Sequence, residues 1–353
     1  MAISKKVQNF MGNASWIRKM FEQGAILKKQ YGDDKVYDFS LGNPNIEPPE
    51  KFFDLLKDTI NNRVPLQHGY MSNAGYMETR QAVAEYMSEE HAVEMFGDHI
   101  VMTCGAGGAL NVVLKTILDP GDEVIVPTPY FVEYNFYIDN AGGVSKLVKT
   151  TKDFNLDVAA IKAAITGRTK AVLINSPNNP TGRVYDAKTI TALGDMLDRA
   201  CKKQGREIYL ISDEPYSKII YDGVKVPSIL QAYRHSLIVT SYSKDLSLPG
   251  ERLGYIAVNP ALEPLDKMMG GLIFCNRTLG FVNAPATMQR IVRHLQGLSV
   301  DIAFYKRKRD RLCDLLGRGP LRHDGDGSPR REEAEDLECP EELEEVEVVQ
   351  ECP

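Results

Sequence analysis

Between about residue 100 and residue 260 the chain alternates two hydrophobic patterns. Short apolar runs of strand length occur at Ile100–Thr103, Glu123–Val126, Lys170–Ile174, Glu207–Ile211, Leu237–Thr240 and Gly254–Val258. Helical stretches separate several of them. Leu110, Val113, Leu114, Ile117 and Leu118 recur at helical spacing and give one apolar face. Asp186–Gln204 reads as a second amphipathic helix between two strands. Repeated strand–helix–strand units predict a largely parallel sheet covered by helices on both faces.

Polar clusters follow four of these strands: CGAGGAL after Thr103, NSPNNPTG after Ile174, SDEPYSK after Ile211 and SYSK after Thr240. In open parallel sheets ligands bind beyond the carboxyl ends of the strands. Each cluster alone is also what a turn looks like, since Gly, Pro, Asn and Ser build turns everywhere. Four of them at four strand ends are what one shared site looks like.

Composition adds boundaries to this picture. The 353 residues are 43% hydrophobic and 25% charged, an ordinary globular mixture with room for about two domains. The net charge of −6 argues against a nucleic-acid binder or an anionic-membrane binder. No apolar run approaches the ~20 residues of a membrane span, and the N-terminus lacks the apolar core of a secretory signal. Six scattered cysteines without a CxxC pair read as free thiols in a reducing cytoplasm, with no metal site. The charge is uneven: from Arg330 to Pro353 eleven acids face two bases, a net of −9 that leaves +3 elsewhere. From about Gly317 the chain is rich in Gly, Pro, Arg and Glu and poor in large apolar residues, so the expectation is a disordered acidic tail over 317–353.

The clusters carry specific chemical possibilities. Gly105–Ala106–Gly107–Gly108 opens a helix and offers free backbone N–H groups at the positive end of a dipole, a setting for phosphate. Neither a GxGxxG fingerprint nor a Walker motif is present. Lys244 sits at the end of an apolar strand, where desolvation favours a neutral, nucleophilic amine; an exposed loop lysine is the alternative. Ser241, Ser243 and Arg252 add hydroxyls and a bidentate cation. Asp213 follows the strand EIYLIS, where a buried carboxylate needs a cationic partner, and Tyr216 adds a phenol; a turn or helix cap is the alternative.

Together, NSPNNPTG (175–182), SDEPY (212–216), SYSKDLSLPGERLGY (241–255) and ILDPGDEVIVPTPYFVEY (117–134) resemble the class I/II aminotransferases, pyridoxal 5'-phosphate (PLP) enzymes of fold type I. The order of the motifs matches too, and the resemblance covers about residues 35–315. It implies a three-layer α/β/α sandwich with a mostly parallel sheet, plus a smaller second domain. Residues 45–290 would form the large PLP-binding domain. Residues 1–44 would supply an N-terminal arm and part of the small domain, and 291–316 a remnant of that domain.

The family's roles carry over by position. Lys244 resembles the lysine that holds PLP as an internal Schiff base and then acts as general base. Asp213 resembles the partner of the pyridinium nitrogen. Asn179 and Tyr216 resemble the hydrogen-bond partners of the cofactor's 3′-oxygen, with Tyr216 counted among the catalytic groups and Asn179 among the substrate contacts. Gly105, Ala106 and Gly107, with Ser241 and Arg252, would hold the phosphate, and Phe131 would stack on the ring. Tyr70 resembles the tyrosine that reaches the phosphate across a homodimer interface, and Gly42 the glycine near the substrate carboxylate. The implied activity is ping-pong transfer of an amino group between an amino acid and a 2-oxo acid. A PLP-dependent carbon–sulfur β-lyase and a non-catalytic PLP-binding remnant are the rival readings. The family's C-terminal part carries an arginine in an apolar strand that clamps the substrate carboxylate. Arg318, Arg322, Arg330 and Arg331 lie instead in Gly-, Pro- and acid-rich surroundings, outside any expected strand. A reading-frame shift or an unusual terminus gives this texture, and the expectation is a chain that holds PLP but transaminates poorly.

Overall fold

The computed structural model describes residues 2–13, 15–37 and 42–317, together with the backbone of 322–323 and 329–330. The chain begins with helices α1 (Lys5–Asn13), α2 (Ser15–Tyr31), α3 (Glu50–Asn61) and α4 (Met77–His91). The α/β body follows: β1 (Ile100–Thr103), α5 (Gly105–Ile117), β2 (Glu123–Thr128), α6 (Tyr134–Asn140), β3 (Val144–Lys149), α7 (Val158–Ala164), β4 (Thr169–Asn175), α8 (Ala187–Gln204), β5 (Tyr209–Asp213), α9 (Ile229–Ala232), β6 (Ser236–Ser241) and β7 (Gly254–Val258). Helices α10 (Leu265–Thr278), α11 (Ala286–Val292) and α12 (Ile302–Leu315) come last.

The seven strands form one sheet in the order β1-β7-β6-β5-β4-β2-β3. Strands β3, β2, β4, β5 and β6 run parallel, while β7 is antiparallel to both β6 and β1. The central strands are buried along their length because helices cover both faces. Alternate residues feed two cores. Met102, Ile174, Leu210, Ile238 and Ala257 face one cluster with Val83, Met87, Leu193 and Ile291 of α4, α8 and α11. Val101, Leu173, Ile211, Val239 and Ile256 face the other, with Leu110, Leu114, Ile138 and Leu272 of α5, α6 and α10. The period-two alternation of the strands is what divides the apolar residues between layers.

The expected layering and mostly parallel sheet are therefore present. Strand β3 escaped the sequence reading. It is one of the two edge strands, half of its residues are exposed, and VSKLVK lacks the apolar continuity of the central strands. Helix α8 starts one residue after Asp186 because that carboxylate caps it, accepting from the Thr189 N–H at 2.8 Å. Arg322–His323 pairs antiparallel with Pro329–Arg330, so Arg322 and Arg330 do lie in a minimal two-stranded ladder. The rest of the expected acidic tail lies outside the described residues. Cys104, Cys201, Cys275 and Cys313 are free thiols. Among the described residues no helix is long and apolar enough to cross a membrane, and no group of three or more His, Cys, Asp or Glu is arranged to hold a metal.

Candidate active site

The sheet register brings the polar clusters together at one end of the strands. Asn175, last residue of β4, lies beside Asp213, last residue of β5, and Asp213 lies beside Val239 of β6. Ser241 and Thr103 each pair with Gly254 from opposite sides of β7. One end of β1, β7, β6, β5 and β4 thus carries Thr103, Gly254, Ser241, Asp213 and Asn175 in a row.

Asp213 is 5% exposed. Its Oδ2 accepts a hydrogen bond from the Tyr134 hydroxyl at 2.6 Å, and its Oδ1 has no partner among the described residues. Burial pushes the carboxyl up to about 7, against the Tyr134 hydrogen bond, which favours the ionised form. Tyr134 is itself held well above its ordinary value, first by burial and then by the carboxylate. Asn175 donates to the Asp213 carbonyl at 2.7 Å, and its own Oδ1 accepts from the Asn179 N–H at 2.6 Å. This chain places Asn179 next to Tyr216, whose phenol is raised by burial and by Asp213 while Asn179 works in the other direction.

A second group surrounds the start of α5. Gly105 has φ +70°, and a Cβ there would lie 2.9 Å from Nη2 of Arg252, so any larger residue would displace the guanidinium. Arg252 is in the left-handed region, with φ 52°, and donates to the Pro249 carbonyl at 3.0 Å. A Cβ on Gly107 would stand 3.1 Å from the Tyr137 hydroxyl, and one on Gly254 would stand 3.0 Å from Gly105 Cα. Ala106 and Gly107 are half-buried in the first turn of α5. Ser241 donates to Ser243 at 3.0 Å. The result is a cup of free backbone N–H groups, hydroxyls and one guanidinium.

Lys244 lies three residues past β6, half-buried, with burial lowering its amine below the ordinary lysine value. Its Nζ donates to the Gly42 carbonyl at 2.7 Å, which joins two sequence-predicted residues 202 positions apart. Phe131 meets Tyr134 edge-on, with ring centroids 5.6 Å apart. Tyr70 stands apart: it is 95% exposed and makes no hydrogen bond to the other candidates. A cavity of about 300 Å³ opens beside Asn179 and Tyr216, lined further by Ile219, Tyr221, Val224 and Arg309.

Three residues of the site were missed from the sequence: Tyr134, Asn175 and Tyr137. Tyr134 and Asn175 stand inside quoted motifs, but a tyrosine three residues after Phe131 and an asparagine at a strand end also fit core and turn positions. Only the register and the first turn of α6 aim them at Asp213. Tyr137 sets its hydroxyl against Gly107 of the cup; its phenol is raised by burial, Glu133 and Asp213, with Arg252 acting the other way.

Comparisons with known proteins show the family of the chain. The family description "Aminotransferase class I and II" matches residues 34–323. A probable aspartate aminotransferase of Methanocaldococcus jannaschii is 32% identical over 233 residues, covering 66% of this chain and 60% of that protein. An aspartate aminotransferase of Pyrococcus abyssi is 32% identical over 263 residues, 73% of this chain and 63% of that protein. The chain thus spans about three-fifths of the length of these curated relatives. The solved structure of an amino transferase from Eubacterium rectale superposes with a TM-score of 0.86 at 38% identity, covering 90% of this chain and 80% of that one. Since the match spans most of the chain, including the strand ends that carry Asp213, Lys244 and the Gly105 cup, this chain belongs to the class I and II aminotransferases.

Proposed function

We propose that this chain binds PLP and transfers amino groups between amino acids and 2-oxo acids, with aspartate as the first substrate to test because the relatives are named for it. The observation that carries the reading is Asp213: a buried carboxylate with one oxygen satisfied by Tyr134 and the other without a partner. A ring nitrogen that carries a proton would complete it. Fit at the other end comes from the Gly105 cup, where the glycines leave room that a Cβ would fill. Gly105, Ala106, Gly107, Ser241 and Arg252 would hold the phosphate, Asn179 and Tyr216 the 3′-oxygen, and Phe131 the ring face.

Bound PLP supplies an aldehyde that captures amines and a ring that withdraws electrons from the adjoining carbon. Lys244, with its lowered affinity for a proton, serves as nucleophile and then as the base that moves the substrate α-proton. Asp213 keeps a proton on the ring nitrogen by remaining ionised once paired. Tyr134 orients that carboxylate and offsets part of its desolvation. The Gly42 carbonyl holds the Lys244 ammonium in place before cofactor arrives. Gly42 and Asn179 would meet the substrate carboxylate. Residues 45–290 are the cofactor-binding unit in this reading.

The test is cofactor capture. The purified chain should develop a visible absorption band with PLP, and borohydride should fix the label on Lys244, read by peptide mapping. Lys244→Ala should lose the reducible label entirely while retaining phosphate-dependent binding. A label retained elsewhere at equal yield would refute the assignment.

A homodimer belongs to the same proposal. Tyr70 is almost wholly exposed and disconnected from its own site, as a residue serving a second copy would be. Mixing Tyr70→Ala with Lys244→Ala chains should restore activity that neither has alone, since one site of the hybrid carries both residues intact. Sedimentation as a monomer with full cofactor affinity would remove this part of the proposal.

A further inference from the structure

Lys244 is followed at once by a residue that turns the other way. The Asp245 side chain is 10% exposed and is held on all its polar atoms. Its Oδ2 pairs with Lys218 Nζ at 3.1 Å, its Oδ1 accepts from the Leu246 N–H at 2.9 Å, and its carbonyl accepts from the Val300 N–H at 2.7 Å and the Ser299 hydroxyl at 3.2 Å. Lys218 is nearly as buried, at 15%. It also donates to the Leu298 carbonyl at 3.2 Å and places its ammonium 4.6 Å from the centre of the Tyr86 ring. One ammonium therefore ties together α4, the segment after β5, the Lys244 turn and the 298–300 segment.

Its surroundings are acidic. Tyr86 feels Glu90, Asp245 and Glu214 together, and Tyr242 and Tyr255 also feel Asp245. Of these acids, Lys218 forms its ion pair with Asp245. Burial favours the protonated form of Asp245 and Lys218 opposes it, so without Lys218 the carboxyl either takes up a proton or shifts toward water; either way the ion pair that ties the Lys244 turn to Lys218 is lost. Asp245 cannot move without carrying Lys244, its neighbour on the backbone.

We propose that Lys218 and Asp245 are positioning residues that fix the Lys244 turn, and so the direction from which the Lys244 amine meets the cofactor aldehyde, an inference that rests on Lys244 being the cofactor lysine. Neither residue touches the cofactor in this account. The pair acts by holding a backbone whose displacement by about 1 Å would cost about 10²-fold in a bond-forming step.

The experiment separates positioning from simple folding. Lys218→Met, Lys218→Arg, Asp245→Asn and the double variant K218M/D245N are compared with the parent chain by thermal melting, by non-covalent affinity for PLP in the Lys244→Ala background, and by the rate of formation of the visible band, with borohydride trapping on Lys244 as the covalent readout. Lys218→Met should slow band formation on the order of 10²-fold while the non-covalent affinity stays within a few-fold. Lys218→Arg should restore most of the rate. The double variant, which leaves no charge unpaired, should fold and lie between the parent and Lys218→Met, giving a coupling between the two positions. If Lys218→Met alone does not fold, the double variant decides: a parental rate there overturns the proposal, and a slowed rate with intact affinity supports it. Equal rates in folded Lys218→Met and parent chains also overturn it. A parent chain that never forms a reducible link to Lys244 overturns the cofactor reading itself and this inference with it.

Discussion

Asp213 and Glu214 are consecutive carboxyls at the end of β5; burial lifts both, to about 7 and about 8. Their surroundings differ. Asp213 faces the α5–α6 layer, where the Tyr134 hydroxyl donates to it and its second oxygen is buried without a partner among the described residues. Glu214 faces the α4 layer, beside a cavity of about 20 Å³ lined by Tyr86, Met87, His91, Ser217 and Tyr255, room for about one water. Ser212 favours the ionised form of Glu214, while Asp213 and Glu90 both push its proton on more tightly. His91, which could have offset this with charge, is lowered to about 4 by burial and hydrogen-bonds Ser228 instead. Each carboxyl has one buried oxygen without a partner among the described residues and one hydroxyl favouring its ionised form; what separates them is the like charge of Asp213 and Glu90 that Glu214 feels. Burial alone therefore says nothing about role, and the neighbouring donors and charges decide it.

The sharpest way to break this comparison is to neutralise each carboxyl in turn. Asp213→Asn should lower the half-reaction rate by about 10²–10³-fold, about 3–4 kcal/mol of electrostatic stabilisation. An unchanged single-turnover rate with aspartate would remove Asp213 from the mechanism. The same variant should make the cofactor-free protein more stable at and above pH 7. The sign follows from linkage: the folded carboxyl binds its proton up to about pH 7 and the unfolded one only to about pH 4, so the parent loses stability as pH rises between those values. The amide has no such loss, and melting curves across that range measure it.

A smaller effect is expected from the hydroxyl that donates to Asp213. Tyr134→Phe removes one hydrogen bond to an ionised group, about 1.5–3 kcal/mol. Since that bond favours the carboxylate, its loss should move the acidic limb of PLP affinity to higher pH and weaken binding about tenfold near neutrality. Titrations of affinity against pH check this; an unmoved limb would mean that Tyr134 only fills space.

The smallest functional effect should come from Glu214→Gln. The side chain is already protonated at neutral pH, so the amide should leave cofactor capture within about twofold, a change of under 0.5 kcal/mol. Its stability curve should differ more. The parent should lose stability as pH rises from about 4 through about 8, while the variant should stay flat. A large loss of cofactor binding in this variant would erase the contrast between the two carboxyls.

The sequence carried the layered architecture because strand length and helical spacing are local. Gly254–Val258 and Ile100–Thr103 could be bounded from the chain alone, since their apolar runs end at turn residues. The edge strand Val144–Lys149 could not, because half-exposed residues give no continuous apolar run. Lys244, Asp213, Asn179 and the Gly105 cup were legible as candidates because polar clusters at strand ends, and the family motifs that contain them, are written in short contiguous segments.

Only the tertiary structure decided which of these groups meet. That Tyr134 rather than another phenol donates to Asp213, that Gly42 reaches Lys244 across 202 positions, and that Lys218 neutralises Asp245 behind the reactive turn all depend on sheet register and on helix faces packed from distant parts of the chain. The sequence could name the acids at positions 213 and 214 but could not tell their roles apart. A protonation state is set by what lies within a few ångströms in space, and a linear chain specifies that only after it has folded.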